Sequence, residues 1–138
     1  IAILGFVALG IASLFSYSMV TNASGYDYAL IASEARRALE TLKTVDFNDA
    51  TVFADTGSTP VPIQARLAGY VPRQGFDVTF TAQSFHISSS DPLTDMSAWS
   101  APGPTRPANL RRITVSVSSR SGFIGQRNFV ATTLLARG

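Results

Sequence analysis

Residues 1–20 read IAILGFVALGIASLFSYSMV, twenty consecutive positions without a charge or a proline. Wound into a helix at about 1.5 Å per residue, they reach ~30 Å, the thickness of a bilayer's hydrocarbon core. A secretory signal would need a basic leader and a shorter apolar run. A core helix would need a domain large enough to cover twenty uncharged residues. A membrane-capable helix is the expectation. Ser13, Ser16 and Ser18 are compatible with it, because serine can bond back to its own helix's carbonyls. Gly5 and Gly10 lower helix propensity and permit close backbone approach, though their spacing of five is not that of a GxxxG pair.

The helical pattern continues past residue 20. Tyr28, Ile31, Ala35, Ala38, Leu42 and Val45 recur at steps of three and four, an apolar stripe on one helix face. Glu34, Arg36, Arg37, Glu40 and Lys43 fall off that stripe, with Glu34–Arg37 and Glu40–Lys43 spaced to pair. The spacing predicts one helix over 1–46, softened only at Gly25, its membrane or core half at 1–26 and its amphipathic half at 27–47. At roughly 70 Å such a helix must protrude from a domain built by the rest of the chain.

Residues 48–75 carry Asn48-Asp49, Gly57, Pro60, Pro62, Gly69, Pro72 and Gly75, the signals of a connecting loop, with room for a short strand over 61–67. From 76 to 138 the pattern is β. Phe76, Val78, Phe80 and Ala82 alternate with Asp77, Thr79, Thr81 and Gln83. Ile113, Val115 and Val117 alternate in RRITVSVSS, and a last strand follows through QRNFVATTLLA after a turn at 120–125. Residues 88–110, rich in Ser, Pro and Asp around Trp99, read as a long surface loop. The fold class is therefore α+β, a long helix whose second half packs on a three- to four-stranded antiparallel meander.

Cysteine is absent, which removes disulfides and thiolate metal sites. His86 is the only histidine, so a histidine triad or metal site has nothing to build on. Asp77, Asp91 and Asp95 lack the alternate-residue spacing of a calcium loop, and no glycine-rich phosphate loop is present. Neither an enzyme nor a cofactor is expected. Charge is uneven: residues 27–55 hold six acids, among them Asp27, Glu34 and Glu40, against three bases. Residues 106–138 hold six arginines, including Arg111, Arg112, Arg120 and Arg127, and no acid. Three readings of that excess stay open: a surface for the acidic region of another copy, a solvated face, or a nucleic-acid contact. The last has sparse aromatic support, Phe123 and Phe129 alone.

A helix apolar then amphipathic, a variable loop and a terminal meander resemble the type IV pilin family, in particular its minor pilins and the type II secretion pseudopilins. IAILGFVALG reads like the continuation of that family's mature N-terminal phrase, and RRITVSVSS with RNFVATTLLA is similar to its closing strands. The family carries a glutamate five residues into its mature chain, whereas no residue of 1–26 is acidic. The sequence is therefore expected to join the family phrase partway, after a methylated apolar first residue and that glutamate. The resemblance implies a filament whose core packs Ile1, Leu4, Gly5, Phe6, Leu9, Gly10, Ile11, Leu14 and Phe15. It implies partners that are copies of the chain or other pilins, an assembly machine in the bacterial inner membrane, and a final periplasmic or extracellular location. The rival expectation is a periplasmic binding domain on a single-span anchor that does not polymerise.

Overall fold

The computed structural model describes residues 2–88, 99–120 and 126–137; at residues 2–6, 8, 23, 24 and 99 it describes the backbone alone. Helix α1 spans Ala2–Lys43 and runs through Gly25 without interruption, about 63 Å of helix. It stops three residues before the sequence pattern does. The Thr44 hydroxyl donates to Thr41 O at 2.7 Å, and the Thr44 and Val45 amides close tight turns onto Thr41 and Leu42. Asp46 then accepts the Asn48 amide at 2.7 Å, a local alternative to the next helical bond.

The remaining elements are β1 (Val61–Pro62), α2 (Ile63–Arg66), β2 (Phe76–Ile87), β3 (Trp99–Ser100), β4 (Leu110–Ser119) and β5 (Asn128–Ala136). The sheet order is β1-β2-β4-β5, antiparallel throughout, with β3 pairing the end of β2. The segment expected as a short strand over 61–67 is strand only at Val61–Pro62. Pro62 has no N–H to continue a ladder, and the chain coils into the single turn of α2. The stretch 88–110 also contains more order than its composition suggests. Ser100 pairs with His86, while the Asn109 side chain brackets Ile87 by accepting its N–H at 2.7 Å and donating to its C=O at 2.9 Å. The rest of that loop, 89–98, and most of the 120–125 turn lie outside the described residues.

The core forms where the helix stripe meets the sheet. Ile31, Ala35, Ala38 and Leu42 are fully buried with Val78, Phe80 and Ala82 of β2 and Ile113, Val115 and Val117 of β4. Two alanines in the middle of the stripe bring the helix backbone close to the sheet. Val45 packs against the edge of this cluster, half-buried. Segment 48–75 is more than a connector, because it contributes Val52, Phe53, Ile63 and Tyr70 to the same core. Asp49 seats the first two: its carboxylate accepts the Thr51 and Val52 amides and the Thr51 hydroxyl, and these bonds hold its pKa below the usual carboxylate range.

Candidate assembly surface

The domain grips α1 only from about Tyr28 onward, and the helix before it stands free. Residues 7, 9–22, 25 and 26 are all exposed. Successive residues turn by about 100°, so Leu9, Ile11, Leu14, Phe15, Tyr17 and Met19 point in six directions spread around the axis. Leu14 is 72% exposed, Phe15 69% and Tyr17 73%. A helix apolar all round is stable only when something covers it all round, and nothing among the described residues does. Two of its hydroxyls are turned inward: Ser13 donates to Leu9 O and Thr21 to Tyr17 O, both at 2.9 Å. Gly10 is open, with nothing within 4 Å of where a Cβ would stand. Of the expected filament-core residues, Ile1 lies outside the described residues, and Leu4, Gly5 and Phe6 are described by their backbone alone. Among the described residues no helix is long and apolar enough to cross a membrane; Ile1 and the side chains of residues 2–6 and 8 lie outside that set.

Tyr28, expected on the helix–sheet stripe, is 52% exposed. Its ring instead lies under Arg127, whose guanidinium carbon is 4.5 Å from the centroid, at the point where the helix leaves the domain.

The charges expected as free contacts are largely engaged inside the chain. Arg111 donates from Nε to Phe47 O and from Nη1 to Phe53 O and Ser84 Oγ, and stacks 4.8 and 5.3 Å from the Phe47 and Phe53 rings. Burial pulls its guanidinium below its ordinary pKa, opposed by nearby Asp55. Arg112 bonds Gln83 Oε1 and covers Phe85. Arg120 pairs with Asp77, which lowers the aspartate's pKa and raises its own. The acidic and basic stretches, distant in sequence, thus meet in one domain: Arg111 ties β4 to the 47–53 backbone. Glu40 lies 3.8 Å from Lys43 on the helix surface, an exposed pair of little energetic weight. Asp27 is partly exposed near the helix exit.

Glu34 departs furthest from its expected place. Predicted off the apolar stripe as a surface charge, it has no exposed area. The 67–73 segment folds over it: Tyr70 Oη donates to Oε1 at 2.6 Å, the Arg73 amide to Oε1 at 3.3 Å, and Arg73 Nε faces Oε2 at 3.4 Å. Arg37 reaches Oε1 at 3.3 Å and Val71 O at 3.2 Å, and lies 5.0 Å from the Tyr70 centroid. Two cations and a phenol thus hold one buried carboxylate, locking the loop onto α1. Tyr70 and this lock were illegible as a polar site, but Ile63, Leu67 and Tyr70 do recur at steps of four and three, the spacing that places α2 and the following turn on the core.

Burial, then the bond to Glu34, pushes the Tyr70 phenol above its ordinary value of 10.0. The folded phenol keeps its proton where the unfolded one loses it. The contribution is therefore complete below pH 10 and is lost as pH rises above it, at up to about 1.4 kcal/mol per unit. Urea unfolding of the wild type and of Tyr70→Phe at pH 8 to 11 measures this. Phenylalanine is expected to cost about 1.5–3 kcal/mol at neutral pH and to flatten the alkaline loss; equal alkaline slopes in both proteins contradict the assignment.

Nothing else in the described residues gathers into a chemical centre. No cluster of His, Asp and Glu that could hold a metal is present there, and Asp91 and Asp95 lie outside. His86 Nδ1 donates to the Pro107 carbonyl at 2.9 Å, an edge residue tying β2 to a loop. No family model, curated protein or solved structure matches the chain.

Proposed function

We propose that the chain is a structural subunit of a type IV pilus or pilus-like filament, carried in the bacterial inner membrane and then assembled. The observation that carries this reading is the free half of α1, a helix continuous with the domain's own core helix yet apolar in every direction. Lipid covers such a surface before assembly. Away from lipid, helices of the same kind can cover it, at about 25 cal/mol per Å² of apolar area removed from water. Helices packed parallel in a core leave the sheet domains outside, and a head-to-tail contact that does not close extends into a helical filament.

The anchored-domain alternative asks less of the helix. An anchor can be joined to its domain by any linker, whereas here one unbroken helix supplies both the free half and the core stripe. That rigid continuity favours a subunit whose domain orientation is set by its helix. The test is fractionation of the native cells: a filament subunit appears in the detergent-free, high-molecular-weight material released by shearing, and a simple anchor stays in the membrane fraction. The proposed role involves no catalysis and no cofactor.

A further inference from the structure

The two edges of the sheet are treated differently. The β2 edge is interrupted by Val61–Pro62, by Thr56, whose amide donates to Ala82 O at 3.1 Å, and by Ser100. Among the described residues the β5 edge carries no strand. Arg127 O and Arg137 N bond inward to Ser119 and Asn109, so the odd positions of β5 face β4. By alternation the N–H and C=O groups of Asn128, Val130, Thr132, Leu134 and Ala136 face outward. Edges are ordinarily blunted by charge, proline, a bulge or shortness. Strand β5 is nine residues long, has no charge or proline, and runs in unbroken register along β4. Val130 and Leu134 are exposed beside it.

We propose that this edge receives an extended segment of a partner protein as an added strand, uncharged and alternately apolar in its middle and carboxylate-bearing at its ends. The outward backbone groups supply the ladder, and Val130 and Leu134 supply apolar contacts on one face. Charge selects the occupant. Arg137, exposed, and Arg127, partly exposed with its guanidinium over the Tyr28 ring, stand one residue beyond either end of β5, and no acid occurs anywhere in 106–138. A second copy of β5 paired antiparallel about Thr132 would set Arg127 against Arg137 at both ends, an unfavourable meeting of like charges. A segment with acids at its ends meets both arginines favourably. The proposal stands apart from the filament reading, because it uses no residue of the free helix.

The test follows amide exchange in the full chain in detergent micelles while adding the synthetic peptide acetyl-Glu-Thr-Thr-Val-Thr-Val-Thr-Val-Thr-Thr-Glu-amide, which is long enough to reach from Arg127 to Arg137 and sets valines beside Val130 and Leu134. Exchange at Val130, Thr132 and Leu134 is expected to slow roughly tenfold at saturation, with Phe129, Ala131 and Thr133 unchanged. A peptide with lysines in place of the glutamates is expected to have little effect. Thr132→Pro, which removes an outward N–H, abolishes the response, as does the independent Val130→Glu/Leu134→Glu variant, which removes the apolar contacts and sets like charges beside the acidic peptide. Absence of slowing with the acidic peptide overturns the proposal. Equal slowing by the lysine peptide, or protection of these amides by self-association without peptide, overturns it too.

Discussion

Leu9→Arg is expected to remove the chain from sheared filaments while leaving its total abundance and the fold of its domain intact. Leu9 is 68% exposed on the free half of α1 and lies 22 residues from Ile31, about 33 Å along the helix. The substitution therefore cannot disturb the core directly. In an assembled core it places an unpaired guanidinium among apolar helices, a position that costs several kcal/mol for each subunit. Within a bilayer the cost is smaller, about 2.5–3.5 kcal/mol at mid-helix, so insertion can survive where assembly does not. The expected result is a drop of at least roughly tenfold in the sheared fraction, which needs only about 1.4 kcal/mol. Leu9→Ile is the control and is expected to incorporate normally. Wild-type incorporation of the arginine variant contradicts a packed apolar core.

The second large effect concerns the lock at Glu34, and its sign depends on which partner is removed. Arg37→Ala with Arg73→Ala leaves a carboxylate of zero exposure without its cations. Stranding one member of a buried pair costs about 3–5 kcal/mol, a large part of the ~5–15 kcal/mol that holds a domain folded. Glu34→Gln strands nothing comparable. Its amide oxygen still accepts from Tyr70, and both arginines, whose side chains are nearly half exposed, turn to water. About 1–2 kcal/mol is expected there. Urea unfolding of the two variants and the wild type measures the difference. Equal costs, or a milder effect of the double arginine variant, contradict the view that the arginines serve chiefly to make the buried carboxylate tolerable.

The elements whose periodicity is local were legible in the sequence. The helix stripe of Ile31, Ala35, Ala38 and Leu42, and the alternations around Phe80 and Val115, each report a buried face directly. Long-range pairings left no such trace. Glu34 reads as a surface charge because its spacing places it beside the stripe, and only the return of residues 67–73 over the helix buries it. The arginines of β4 read as free because their neighbours in sequence are polar, while the groups that hold Arg111 come from Phe47, Phe53 and Ser84. Tyr28 illustrates a limit of periodicity itself. It keeps the spacing of the stripe, but the sheet ends below it, and an arginine takes the place of the core. The free half of α1 was legible as apolar; that the described part of the domain leaves residues 9–22 uncovered follows from where β2, β4 and β5 stop.

The central claim is that the free half of α1 packs against the same half of other copies. The chain has no cysteine, so Leu14→Cys gives each subunit a single thiol on that surface. Mild oxidation of native cells followed by non-reducing electrophoresis of sheared and membrane fractions tests the packing directly. The account predicts a cross-linked dimer in the sheared fraction that disappears when Leu9→Arg is added. A chain that is monomeric in every fraction, and absent from sheared material, would contradict the filament and leave an anchored domain.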